Sequence, residues 1–204
     1  MRSIAAAVLS IATQVPANLP PAYPRAGAVK IVDNDDVQVW NISWLKGKPS
    51  PLHRHLYDLV GVYYEPGDRM IISPDGAKRP VSTKAWDIAF QRAGLTHIEE
   101  GMSDSPLRAI FVEMKQPGAY GTAPPAGEAP AFTAEGATQK LDNGRVTVWE
   151  FTSAPPFTSH RHTHDAVVVS LGGNSPKAAW VKRGTVHRGE GESQASRIYV
   201  FEIK

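Results

Sequence analysis

The stretch HRHLYDLVGVYY at residues 53–64 returns 107 positions later as HRHTHDAVVVSL at residues 160–171. Each copy places H-x-H and an aspartate before a run of apolar residues, and a short apolar run bounded by turn residues reads as a buried β-strand. On a strand, residues i and i+2 share a face. His53 and His55 are therefore expected to present two imidazoles to one place, and His160 and His162 to do the same in the second copy.

Working outward, the matches continue in order. Upstream, VDNDDVQVW (32–40) pairs with LDNGRVTVW (141–149), sharing D-N-x-x-V-x-V-W at an offset of 109. Downstream, FQRAGLTH (90–97) pairs with WVKRGTVH (180–187), and RAIFVEMK (108–115) with RIYVFEIK (197–204). Self-similarity on this scale means two copies of one structural unit. Between them QPGAYGTAPPAGEAP (116–130) has the Pro, Gly and Ala content of a linker. The organisation is read as an extended N-terminal arm over 18–28, one unit over 29–115, the linker, and a second unit over 131–204.

Turn signals such as Asp33-Asn34, Pro66-Gly67, Pro74-Asp75-Gly76, Asn143-Gly144 and Gly172-Gly173-Asn174 break each unit into short strands, and no segment carries long-helix periodicity. This predicts an all-β chain built of sandwiches or barrels. With 204 residues, 42% of them hydrophobic, the chain is long enough for two small cores. Twenty-two basic against 20 acidic residues give no electrostatic reason for binding nucleic acid. No segment is long and apolar enough for a membrane span. Residues 1–17, MRSIAAAVLSIATQVPA, have Arg2, an apolar stretch and small residues at Val15 and Ala17, the pattern of a secretory signal peptide. Export is expected on that reading, and a cytoplasmic location otherwise.

The chain has no cysteine, so a metal site must use His and carboxylate. All seven histidines, at 53, 55, 97, 160, 162, 164 and 187, fall inside the repeated motifs. A third imidazole, His97 in one unit and His187 in the other, would complete a set of three. Such a set suits a divalent transition metal, Fe, Mn, Zn or Ni, and leaves coordination positions open for a small molecule.

At this point the chain resembles the cupin superfamily over about 29–115 and 131–204, and the duplication makes it similar to a bicupin. Gly47, His53, His55 and Gly67 match the family's first motif, and Gly94 with His97 and Gly184 with His187 match its second, G-x-x-H. The second unit lacks the leading glycine and has Pro155 and Pro156 nearby. The resemblance implies two tandem jelly-roll barrels, with ligands on inward faces near each barrel mouth. It also departs from the pattern: where the family's glutamate would stand, this chain has Leu59 and Val60, and Ala166 and Val167. The nearby acids are Asp58 and Asp165, three residues after the second His. Three readings stay open: a fourth ligand, a partner to an imidazole N–H in a three-His site like that of the thiol dioxygenases, or an acceptor of backbone N–H at a turn. His164 is a further candidate because it shares the strand parity of His160 and His162.

Arg54 and Arg161 have the opposite parity and should point away from the ligands. Arg92, Lys182 and Arg183 read as solvated charges; Trp40, Trp149, Phe90 and Trp180 read as packing. The 25 residues from His162 to His187, against 42 from His55 to His97, favour the second unit as the better-preserved site. The extra segment Pro66–Trp86 reads as a lid or a contact with a second copy in a homodimer. The function expected is that of a metal-binding bicupin, either a metal-dependent oxygenase or isomerase acting on a small polar molecule or a non-catalytic binding module. Fold alone does not choose between them.

Overall fold

Continuous apolar runs such as LVGVY (59–63) and AVVVSL (166–171) give the central strands two apolar faces, and the fold uses both. In the computed structural model, which describes residues 18–118, 129–153, 158–172, 175–191 and 195–204, the first unit contains β1 (Ala28–Asp33), β2 (Val37–Trp44), β3 (His53–Arg54), β4 (Asp58–Glu65), β5 (Gly67–Ile72), β6 (Lys78–Thr83), β7 (Ile88–Gln91), β8 (Thr96–Gly101) and β9 (Leu107–Met114). The second contains β10 (Thr138–Asp142), β11 (Val146–Phe151), β12 (Ser159–Arg161), β13 (Asp165–Leu171), β14 (Lys177–Val181), β15 (Val186–Arg188) and β16 (Arg197–Ile203). The signal-peptide reading of 1–17 and most of the linker, 119–128, lie outside the described residues, as do Pro155 and Pro156.

Each unit has a five-stranded antiparallel sheet of the same topology, β1-β2-β9-β4-β7 in the first and β10-β11-β16-β13-β14 in the second. Trp40 and Trp149 lie in the corresponding strands β2 and β11. One face of the first sheet sends Trp40, Ile42, Leu59, Tyr63, Leu107 and Phe111 into the first barrel. The equivalent face of the second sends Phe151, Ala166, Val168, Ile198 and Val200 into its own. The opposite faces meet: Val39, Val60, Val62, Ile110 and Val112 pack with Val148, Val167, Val169, Tyr199 and Phe201 in one core shared by both units. Strands buried on both sides explain why the apolar runs are continuous rather than alternating. The architecture is two jelly-roll barrels joined back to back through their large sheets.

The smaller sheets differ. In the first barrel the order is β3-β8-β5-β6, whereas among the described residues of the second β12 pairs with β15 alone. The segment 66–86, read above as a lid or dimer contact, forms the β5–β6 hairpin and extends the sheet that carries His97; this hairpin accounts for the longer spacing between His55 and His97. The arm is also part of its barrel. Arg54 N–H donates to Pro20 O, while Ala22 and Tyr23 are buried. In the second unit Arg161 N–H donates to Pro130 O and Phe132 N–H donates to Arg161 O. Pro21-Ala22-Tyr23 and Pro130-Ala131-Phe132 thus repeat at the same offset of 109, so the unit begins earlier than residues 29 and 131.

Candidate metal centres

The two histidine trios are assembled by identical local devices. His53 faces His97 directly across β3–β8, and His160 faces His187 across β12–β15. The second histidine of each pair lies just past its strand, held by a backbone bond from the glycine of G-x-x-H: Gly94 N–H donates to His55 O at 2.8 Å and Gly184 N–H to His162 O at 2.9 Å. Both glycines have positive φ, +91° and +75°, the left-handed conformation that costs glycine least. The motif needs glycine for this turn, which docks the second imidazole beside the third.

In the first barrel one ring nitrogen from each of His53, His55 and His97 lies within 4.8 Å of the others. All three residues are at most 3% exposed. His53 Nδ1 bonds to Pro51 O at 3.0 Å, which leaves Nε2 as its inner nitrogen, and that atom has no hydrogen-bond partner. His55 Nε2 and His97 Nε2 are 3.2 Å apart. Burial depresses His55 to about 3 and His97 to about 4, and the Glu99 carboxylate opposes it only in part. The result is three neutral imidazoles, the protonation state a metal requires.

The second barrel brings together His160, His162, His187 and a fourth residue, Glu190. His160 Nδ1 bonds to Thr158 O at 3.1 Å, repeating the tie of His53. Glu190 Oε1 touches His160 Nε2, and lies 3.0 Å from His162 Nε2 and 3.7 Å from His187 Nε2. Burial would lower His162, but Glu190 and Glu202 outweigh it and raise it to about 9. Glu190, 2% exposed, was not found by sequence reasoning. It sits three residues after the distal histidine, between Gly189 and Gly191 at positive φ, and that acid flanked by turn glycines was the available signal. In the first barrel the carboxylate near His97 is Glu99, with Oε1 4.0 Å from His97 Nε2, but it is engaged by Arg25 and Arg69.

No protein-family model matches the chain, and no curated protein matches it. Among solved structures, AerE from Microcystis aeruginosa is 12% identical, matching 91% of this chain and 98% of its own at a TM-score of 0.57. A cupin 2 conserved barrel domain protein from Leptotrichia buccalis is 16% identical over 90% of this chain and 92% of that one, TM-score 0.48. A cupin domain from Bordetella pertussis Tohama I is 24% identical and matches 47% of this chain and all of that one, TM-score 0.40. The chain has the fold of two tandem cupin-like jelly-roll barrels.

Within these barrels, the two aspartates lie outside both clusters. Asp58 accepts Ala93 N–H at 2.9 Å and pairs with Arg145 and Arg92; Asp165 accepts Arg183 N–H at 2.9 Å. Each opens a strand, β4 or β13, after the chain has turned away from the second histidine, so the carboxylate reaches the turn before G-x-x-H rather than the imidazoles. Asp58 also ties the barrels together, since Arg145 belongs to the second. His164 stands outside the cluster too: β12 ends at Arg161 and the chain bends at Thr163, which breaks the parity that grouped it with His160 and His162. Arg54 is directed to Thr96, at 3.3 Å, while Arg161 is 3% exposed, not a surface residue.

The outer partners come from the closing strands. Trp40 Nε1 donates to Glu113 at 2.9 Å, and Trp149 Nε1 to Glu202 at 2.8 Å. Glu202 in turn lies 3.4 Å from His162 Nδ1. The two tryptophans therefore orient carboxylates as well as packing.

These environments give the metal-free barrels opposite responses to pH. His55 and His97 have folded values below the ordinary 6.5, so the stability linked to them is present above that value and lost as pH falls through about 4 and 3. His162 has a raised value, so its contribution is present below 6.5 and lost as pH rises through about 9. Ring-nitrogen NMR of the metal-free protein at neutral pH should find His162 protonated and His55 and His97 neutral. A neutral His162 would contradict these assignments.

Proposed function

We propose that the protein is a metal-dependent bicupin that holds one divalent transition metal at His53, His55 and His97 and a second at His160, His162, His187 and Glu190, and acts on a small molecule. The observation that carries this reading is the repeated convergence of three imidazoles, with His53 Nδ1 and His160 Nδ1 tied to backbone carbonyls. The Nε2 atoms of His53 and His187, buried without a hydrogen-bond partner, fit a cation held at each trio. Nitrogen and carboxylate donors without thiolate suit Fe, Mn, Zn or Ni. When bound, such an ion supplies Lewis-acid or redox chemistry at its open positions.

The second barrel has room for a reactant. A cavity of about 300 Å³ is lined by Phe132, Phe151, Ala134, Thr158, His160 and Glu190, apolar on one side and reaching the cluster on the other. Phe132 lies tilted against both His160 and His162, with centroids 5.5 and 4.7 Å away, and covers them on that side. The reading we favour for such a centre is an oxygenase or isomerase, the alternative being a binding module without turnover. The test is metal content after stripping with a chelator and reloading separately with Fe, Mn, Ni and Zn. Close to two equivalents of at least one metal are expected; less than about a tenth of an equivalent of every metal would overturn the reading.

A further inference from the structure

The first barrel contains a charge imbalance that its own residues leave open. The β5–β6 hairpin, absent from the second barrel, brings Arg69 into the interior, and the arm brings Arg25. Their side chains are only 7% and 8% exposed. Both pair with one carboxylate, Glu99, at 3.2 and 3.0 Å. Two buried guanidinium charges thus face a single buried acid. The rings of Trp44 and Tyr63, 5.1 and 5.2 Å from the Arg69 guanidinium carbon, offset part of the charge through their π faces. The Tyr63 hydroxyl also approaches the Arg69 guanidinium, but neither Nε nor Nη1 has an acceptor in full hydrogen-bond geometry; Nη1 is at ion-pair distance from Glu99. Leaving donors of a buried charged group unmatched is costly, which makes an anion beside the guanidinium favourable.

There is space for one. A cavity of about 250 Å³ is lined by Arg69, Ile71, Arg79, Gln91, Thr96 and His97, among others. Gln91 Oε1 is a second buried polar atom without a partner, and it belongs to the same wall. Arg79 adds another positive charge at the hairpin, and His97 is a member of the imidazole trio. We propose that this cavity is a binding site for a small carboxylate, held by the Arg69 guanidinium, with its remaining polar group against Gln91 and its far end toward His97. The carboxylate site stands on Arg69 and the cavity; only the placing of the far end beside a metal rests on the function proposed above. The hairpin is then the element that gives the first barrel a ligand preference the second does not share.

The test is calorimetric titration of acetate, lactate and succinate, with acetamide and lactamide as uncharged counterparts, into metal-loaded and chelator-stripped protein. Arg69→Lys retains the charge that Glu99 requires and loses the planar fork. Gln91→Glu adds a negative charge to the cavity wall without touching the Arg–Glu99 pairs, so it remains informative if the Arg69 variant fails to fold. At least one carboxylate should bind about tenfold or more tightly than its amide, and weaken by about tenfold or more in Gln91→Glu and in any folded Arg69→Lys protein. The proposal is overturned if no carboxylate binds more tightly than about 10 mM, if acid and amide bind alike, or if binding is unchanged in Gln91→Glu. Arg69-dependent binding that survives stripping upholds the anion site whatever the metal content, which the elemental measurement decides separately.

Discussion

A Gly61→Val variant is expected to destabilise the protein by more than about 3 kcal/mol, and to lower its melting temperature by on the order of 10 °C. Gly61 lies on β4 directly opposite Phe111 on β9, on the face turned into the first barrel. A Cβ there would stand 2.0 Å from Phe111 Cδ1 and 2.4 Å from Ile110 O, and the backbone oxygen cannot be moved without breaking the sheet. The second barrel solves the same position differently: Val168 on β13 faces Val200 on β16. One unit uses a small residue against a large one, the other two of medium size. The double variant Gly61→Val with Phe111→Val should recover only part of the loss, because it makes room at the Phe111 ring and leaves the contact with Ile110 O. Thermal unfolding of the single and double variants measures this. Equal destabilisation in both would mean that the Phe111 ring contributes nothing to the cost and that the Ile110 oxygen alone demands the glycine.

A His162→Ala variant is expected to lose metal from the second barrel while the first remains loaded. His162 is fully buried and joins Glu190 through Nε2 to Glu202 through Nδ1. Removing it takes away one ligand and leaves two buried carboxylates without their shared partner. The affinity of that centre should fall by more than the roughly 10- to 100-fold typical of losing an outer partner. Glu202→Gln, which keeps shape but weakens the hold on Nδ1, belongs in that smaller range. Asp165→Asn should leave metal affinity unchanged, since Asp165 anchors the Arg183 turn instead. Elemental analysis of the three variants after reloading separates these cases. A two-equivalent metal content in His162→Ala would remove His162 from the ligand set.

Much of this was legible in the sequence because its signals are local and repeated. H-x-H and G-x-x-H place imidazoles through strand pairing and one glycine turn, which depend on neighbours a few residues away. The continuous apolar runs of LVGVYY and AVVVSL follow from burial on both sheet faces. The features that escaped depend on contacts between distant elements. Glu190 enters through a turn whose direction no periodicity encodes. Asp58 and His164 have plausible spacing, but the chain bends between them and the strand that would have carried the parity. The hairpin of residues 67–83 alternates too weakly to distinguish sheet from lid, and Arg69 gains its meaning only beside Arg25 and Glu99. The arm's repeat, Pro-Ala-Tyr against Pro-Ala-Phe, is too short to stand out without the backbone bonds to Arg54 and Arg161.

The central claim, that both trios are metal centres, is tested most directly by anomalous diffraction from crystals of the reloaded protein, measured above and below the absorption edge of the metal supplied. Two peaks are predicted, one roughly 2.0–2.2 Å from Nε2 of His53, His55 and His97, the other equally placed among His160, His162 and His187 with Glu190 as a further ligand. The absence of a peak at either trio would contradict the account.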